Sequence, residues 1–186
     1  MFQDGHGEFV LAAIVPVALV ASWYDCRQHR VPNWLNAAVA LTGLGAQATF
    51  GGAAGLVLGF QGMLVGFGML VLLWAMKGMG AGDVKLMAAL GTWLGPQMTF
   101  FAVLVGGLVG GVVALGMIAY HRNWSATASN LGVLMNKVSR LDTAFSDCGS
   151  AQSMVKSSGV VPYAVPLSIG TLIVVLANHT GWWEVL

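Results

Sequence analysis

The chain has 186 residues, of which 57% are hydrophobic and 8% are charged, and its formal net charge is +1. A soluble domain carries about a quarter of charged residues, so this composition excludes a disordered chain, a nucleic-acid-binding protein with a basic face and an ordinary cytosolic enzyme. The mean hydropathy of +0.78 and the 26 glycines are typical of an α-helical membrane protein, in which small residues let helices approach closely.

Four stretches contain no Asp, Glu, Lys or Arg, and they cover residues 9–24, 31–76, 86–120 and 157–183. A membrane-spanning helix needs about 20 apolar residues. The stretches therefore predict a single membrane-embedded domain, 1–186, with spans near 8–24, 33–50, 54–76, 84–95, 97–120 and 160–180. Gly51-Gly52 and Gly95-Pro96 are the predicted breaks between neighbouring helices, because proline cannot continue the helical hydrogen-bond ladder.

The basic residues predict the orientation of these six helices. All eight fall on one side of the predicted bundle, and they are Arg27, Arg30, Lys77, Lys85, Arg122, Lys137, Arg140 and Lys156. The other side carries Asp4, Glu8 and Glu184 and no basic residue. The positive-inside rule then places the basic side in the cytosol and both chain termini outside it.

Residues 121–159 form the one long polar segment, and apolar residues recur in it at three- and four-residue spacing from Leu131 to Phe145. This periodicity predicts an amphipathic helix, which lies either on the cytosolic membrane surface or as a packed cap over the bundle. The two cysteines, Cys26 and Cys148, are too few for a four-thiolate zinc site. The four histidines (His6, His29, His121 and His179) are dispersed in the sequence and divided between the two sides of the predicted bundle, so the sequence predicts no metal and no cofactor.

Glycines recur at helical spacing in the predicted spans, as Gly51, Gly55 and Gly59, as Gly62 and Gly66, and as Gly106, Gly107, Gly110 and Gly111. Small residues at this spacing bring helix backbones together. They indicate packing inside the bundle, with a dimer interface as the alternative, so the sequence does not decide the oligomeric state.

Two acidic residues stand at the cytosolic ends of predicted helices. Asp25 ends the first helix and Asp83 begins the fourth. A carboxylate at this depth is costly unless it has a partner, a water-filled cavity or a function. The simplest interpretation is ion pairs with Arg27, Arg30 or Lys85. The alternative is that the two aspartates meet and share a proton, which is the arrangement of an aspartic protease.

The residues around both aspartates resemble a known family. Gly80-Ala81-Gly82-Asp83-Val84-Lys85-Leu86 resembles the GxGDxKL signature of type IV prepilin peptidases, which are GxGD-type intramembrane aspartyl proteases. The segment 25–33 resembles the family's other catalytic segment, an Asp followed by Ile/Val-Pro-Asn. The segment 161–166 resembles the Pro-Tyr/Phe-Ala-x-Pro sequence that opens the last helix. Three such motifs, in order on six predicted helices, make the resemblance specific.

The resemblance implies a bacterial inner-membrane endopeptidase that removes the leader of type IV prepilins at the cytosolic face. It makes Asp25 and Asp83 the catalytic pair. The residues implied to lie near the substrate are Gly80, Gly82, Lys85, Pro162 and Pro166. The chain lacks the long cytosolic loop with paired Cys-x-x-Cys motifs that longer members carry, so N-methylation is not expected. Its short length looks like the compact branch that serves Flp-type tight-adherence pili.

Local geometry adds further expectations about the site. Helix polarity favours an ionised Asp83 at a helix N-terminus, acting as the base, and a protonated Asp25 at a helix C-terminus, acting as the acid. Gly80 and Gly82 are expected to supply flexible backbone angles and room for substrate, and Asn33 is expected to cap the second helix. The competing functions are a small transporter and a non-catalytic scaffold of a pilus or secretion apparatus. The absence of ionisable residues from the middle of any predicted span weighs against a transporter.

Overall fold

The computed structural model describes residues 4–28, 32–75, 79–121 and 164–181. Those residues form α-helices, without any β-strand. The helices are α1 (Asp4–Gln28), α2 (Asn33–Ala75), α3 (Ala81–His121) and α4 (Ala164–His179). The predicted amphipathic helix within 121–159 lies outside the described residues.

Three of these helices are long and apolar enough to cross a membrane, namely α1 over Glu8–Arg27, α2 over Asn33–Ala75 and α3 over Ala81–Gly116. Helix α4 is apolar but shorter. Their exposed surfaces carry large hydrophobic side chains such as Leu41 and Leu108, each 71% exposed. Exposing such a surface to water would cost free energy, whereas exposing it to lipid does not. The protein is a membrane protein.

Helix α2 is interrupted at Gly52, where φ is 57° and ψ is −142°. The segment after the break folds back on the segment before it. A Cβ on Gly55 would collide with the carbonyl oxygen of Gln47, and a Cβ on Gly59 would lie 3.3 Å from Leu44 Cδ2. We name the two segments α2a (33–51) and α2b (53–75). The predicted break at Gly51-Gly52 is confirmed.

Helix α3 is interrupted at Gly95, where φ is 73° and ψ is 175°, and Pro96 follows. We name its segments α3a (81–94) and α3b (96–121). The break frees backbone carbonyls that have no water to bind inside a membrane. Gln47 Nε2 of α2a donates to one carbonyl at this end of α3a, Trp93 O, at 3.1 Å, and within α3b Thr99 Oγ1 donates to Gly95 O, four residues earlier, at 2.6 Å. The predicted break at Gly95-Pro96 is also confirmed.

Segment α3a is the centre of the protein. Every residue from 86 to 95 is buried, as in a helix surrounded on all sides. Glycines of α2 lie against it, so that a Cβ on Gly43 would lie 2.6 Å from Trp93 Cδ1 and a Cβ on Gly66 would lie 3.0 Å from the carbonyl carbon of Met87. With 14 residues, α3a is about 21 Å long, shorter than the ~30 Å of a bilayer core.

Segment α3b runs antiparallel to α4. A Cβ on Gly106 would lie 3.1 Å from Leu167 Cα, and a Cβ on Gly110 would lie 3.4 Å from Pro166 Cβ. Helix α4 in turn packs on α1. The glycines that contact a neighbouring helix pack inside the protein, as the sequence indicated, whereas Gly51, Gly107 and Gly111 have no atom within 4 Å of a Cβ built on them.

Candidate active site

The two aspartates that the sequence singles out are both buried. Asp25 lies one turn before the end of α1 and is 4% exposed, and Asp83 is the third residue of α3 and is 7% exposed. They lie close enough to interact electrostatically. Burial of an ionised carboxylate is unfavourable unless hydrogen bonds or opposite charges compensate it, so each aspartate needs partners from the surrounding helices.

Asp25 receives a hydrogen bond from the start of α4. The backbone N–H of Ala164 donates to Asp25 Oδ2 at 2.9 Å, across 139 residues of sequence. The first N–H groups of a helix have no partner within the helix, so the carboxylate satisfies one of them. This bond fixes the first turn of α4 against the last turn of α1.

The same bond changes the argument from helix polarity, which assumed that only Asp83 lies at a helix N-terminus. Asp83 lies at the N-terminus of α3, as the sequence predicts. Asp25, however, lies not only near the C-terminus of α1 but also at the N-terminus of α4. Both carboxylates therefore lie at helix N-termini, so helix polarity does not distinguish a base from an acid here, and the assignment of these two roles stays a prediction.

The turn before α3 holds Asp83 closely. The Asp83 N–H donates to Gly80 O at 3.2 Å, and a Cβ on Gly80 would lie 3.1 Å from Asp83 Oδ2. Among the described glycines, positive φ angles occur at Gly52, Gly95 and Gly181 rather than at Gly80 or Gly82. A side chain at Gly80 would therefore crowd the Asp83 carboxylate, and neither Gly80 nor Gly82 adopts a left-handed backbone conformation here; their flexibility and the room they leave for substrate stay predictions.

Two asparagines of α2a contact the first turn of α3. Lys85 Nζ donates to Asn33 Oδ1 at 3.0 Å, and Asn36 Nδ2 donates to Gly82 O at 3.5 Å. The first backbone bonds of α2 are accepted by Pro32 O, from the N–H groups of residues 35 and 36. Pro32 therefore occupies the cap position, and the expectation that Asn33 caps α2 is wrong.

The cations expected to pair with the aspartates have other contacts. Lys85 binds Asn33, and the Arg27 guanidinium lies 4.6 Å from the centre of the Trp23 ring, which is a cation–π contact. Arg30 lies outside the described residues. Within the described part of the chain, no group of three or more His, Cys, Asp or Glu side chains could hold a metal ion.

Of the two prolines that the family resemblance places near the substrate, the structure describes one. Pro166 is buried in the first turn of α4, and its ring faces Gly110 of α3b. Pro162 lies outside the described residues. Pro166 therefore packs between helices, and its proximity to substrate remains a prediction.

Sequence reasoning missed two groups at the site, Asn36 and the backbone N–H of Ala164. Asn36 follows Asn33 by one helical turn and is a polar residue on an otherwise apolar segment, which is a signal that was available in the sequence. The Ala164 amide carries no such signal, because every residue except proline has one.

These observations define a class: an α-helical membrane protein with two interacting, buried carboxylates at helix ends. The model of the type IV leader peptidase family matches residues 12–115 of the chain, and the chain belongs to this family. The prepilin leader peptidase/N-methyltransferases of Aeromonas hydrophila and Aeromonas salmonicida (strain A449) are each 32% identical to it over 121 residues, which is 61% of this chain and 41% of theirs. The chain spans less than half the length of these relatives, and no solved structure matches it.

Proposed function

We propose that the protein is a membrane aspartic endopeptidase that cleaves the leader of type IV prepilins or pseudopilins of the Flp-like kind. The observation that carries the proposal is the burial of Asp25 and Asp83 within electrostatic range of each other, on the two motifs that resemble the family's catalytic segments. Membership of the type IV leader peptidase family supports the same reaction.

In the proposed mechanism, the two carboxylates hold one water molecule between them. The ionised carboxylate takes a proton from the water as its oxygen attacks the scissile carbonyl carbon. The protonated carboxylate donates its proton to the carbonyl oxygen, and a proton then passes to the leaving amine as the C–N bond breaks. The hydrogen bond from the Ala164 N–H to Asp25 Oδ2 holds this carboxylate at the start of α4.

The proposal includes a topology of six spans, with both chain termini outside the cytosol and the aspartate pair at the cytosolic side of a bacterial inner membrane. The breaks at Gly52 and Gly95 support it, because they divide α2 and α3 into two segments each. The clustering of all basic residues on one side supports the orientation. The prepilin would bring a hydrophobic helix into the bilayer and a basic leader to the cytosolic face.

Leader cleavage is the whole of the proposed activity. The matched relatives are named as N-methyltransferases as well as leader peptidases. Here α1 ends at Gln28 and α2 begins at Asn33, so that no loop domain separates them. The chain has two cysteines and no Cys-x-x-Cys motif. The second activity of the relatives is therefore not proposed for this chain.

Cleavage of a Flp-type prepilin by the purified protein in liposomes tests the proposal. We expect Asp25→Asn and Asp83→Asn each to lower kcat by at least about a thousandfold, because each removes one partner of a coupled acid–base pair. Both substitutions preserve side-chain shape. Glu8→Gln is the matched control, since Glu8 is an exposed carboxylate at the other end of α1, and it should leave kcat unchanged.

The Asn variants must elute and unfold like the parent protein for their loss of activity to count. Normal cleavage by both folded Asn variants would exclude the two-aspartate mechanism. A parent protein that leaves the prepilin uncut would instead favour the transporter or the scaffold.

A further inference from the structure

Helix α2 carries two buried carboxamides, and both reach across to α3. Asn36 is 5% exposed and Gln47 is 8% exposed. Each donates to a backbone carbonyl 46 residues further along the chain, Asn36 to Gly82 O and Gln47 to Trp93 O. The two side chains have the same functional group and lie on the same helical segment, α2a, but they bind backbone carbonyls at opposite ends of α3a.

Gln47 has a structural explanation. Its bond to Trp93 O is 3.1 Å long and satisfies a carbonyl that the break at Gly95 leaves without a helical partner. An unsatisfied carbonyl inside a membrane would destabilise the fold. Gln47 therefore stabilises the end of α3a that lies farthest from the aspartate pair.

Asn36 has no comparable stabilising role. Its bond to Gly82 O is 3.5 Å long, at the outer limit for a hydrogen bond. Its Oδ1 is buried and has no hydrogen-bond partner among the described residues. A buried polar atom without a partner lowers the stability of a protein, so a leucine, whose side chain has the same branched arrangement of heavy atoms, would serve the fold at this position at least as well.

The position of Asn36 points instead to the site. Gly82 immediately precedes Asp83, so the Asn36 amide holds the carbonyl of the peptide unit that carries the aspartate. Asn33, one turn earlier on α2a, binds Lys85 on the other side of Asp83. The two asparagines thus contact the residues on both sides of Asp83, but only Asn36 does so in the buried interior.

We propose that Asn36 is a positioning residue for the aspartate pair, which holds the Gly82–Asp83 peptide so that Asp83 meets Asp25 and the water between them. The proposal rests on the proposed peptidase function. It assigns to Asn36 a contribution to the rate of the chemical step and none to the stability of the fold.

The test compares Asn36→Leu with Gln47→Leu in the full-length protein, by kcat, KM and thermal unfolding in detergent. For Asn36→Leu we expect kcat to fall between about tenfold and about a hundredfold, as small misplacements of catalytic groups do, with KM within about twofold and Tm equal to or above that of the parent. For Gln47→Leu we expect Tm to fall and kcat of the folded protein to stay unchanged. Asn36→Gln, which restores a carboxamide at nearly the size of leucine, should regain part of the activity.

Each outcome decides the proposal. Unchanged kcat in Asn36→Leu, in the presence of an active parent protein, overturns the positioning role and leaves the peptidase function intact. A fall in Tm without a fall in kcat makes Asn36 a structural residue like Gln47 and also overturns it. A parent protein that cleaves no prepilin overturns both proposals together.

Discussion

The backbone amide of Ala164 donates a hydrogen bond to Asp25, and proline substitution can remove this bond selectively. Ala164→Pro deletes the N–H that donates to Asp25 Oδ2, while proline is well tolerated in the first turn of a helix. A charge-assisted hydrogen bond contributes about 1.5–3 kcal/mol, so we expect kcat to fall about tenfold to a hundredfold.

Ala164 is fully buried, so the bulk of the proline ring needs its own control. Ala164→Val adds a comparable side-chain volume and keeps the N–H, and it should retain much more activity than Ala164→Pro. Prepilin cleavage under single-turnover conditions measures both. Equal losses in the two variants would show that packing, and not the hydrogen bond, accounts for the effect.

At the residue scale, the sequence predicts the aspartates but not what surrounds them. Asp25 and Asp83 are identifiable because an acid at the end of an apolar helix is costly, and both prove to be buried and close together. Their partners come from α2a and α4, which only the tertiary fold brings near. The Ala164 bond spans 139 residues, and no local pattern encodes such a contact.

At the scale of elements, glycines set how closely α2b approaches α3a. A Cβ on Gly62 would collide with the carbonyl oxygen of Gly91, whereas a Cβ on Gly68 on the same segment has no atom within 4 Å. We expect Gly62→Ala to lower the free energy of unfolding by about 1–3 kcal/mol through overpacking. Gly68→Ala should leave it unchanged or raise it by up to about 1 kcal/mol through better helix propensity.

Unfolding of both variants in detergent micelles measures this difference. Equal stability of the Gly62 and Gly68 variants would show that the two segments do not pack backbone to backbone. Both substitutions add the same methyl group to the same helical segment, so a difference in stability between them reports only the surroundings of each glycine.

The breaks in α2 and α3 show what a sequence can predict about elements. Gly-Gly and Gly-Pro pairs indicate the two breaks, and the structure has non-helical backbone angles at Gly52 and Gly95. The side chains that compensate the second break are not predictable locally. Gln47 stabilises it from another helix, and an isolated glutamine in an apolar segment does not reveal which carbonyl it binds.

At the scale of the whole molecule, composition alone identifies a helical membrane protein, and the charge-free stretches coincide with the helices α1 to α4. The predicted number of spans follows from the lengths of these stretches, and the predicted orientation follows from the distribution of lysine and arginine, which acts during insertion into the membrane. Contacts between helices do not show where the bilayer lies or which side faces the cytosol. The number of spans and their orientation therefore remain predictions.

The orientation can be measured with two cysteines at opposite ends of the protein. Asp25 meets the start of α4, so the exposed Cys26 lies at that end. Thr180 follows the last residue of α4, a helix of 16 residues, about 24 Å away along its axis. We expect a membrane-impermeant maleimide to label Cys26 in the Cys148→Ser protein only in inverted vesicles, where the cytosolic face is outside. In Cys26→Ser/Cys148→Ser/Thr180→Cys, we expect labelling only in intact spheroplasts. Reversed labelling would place the aspartate pair on the outer face, where it could not meet a leader held in the cytosol.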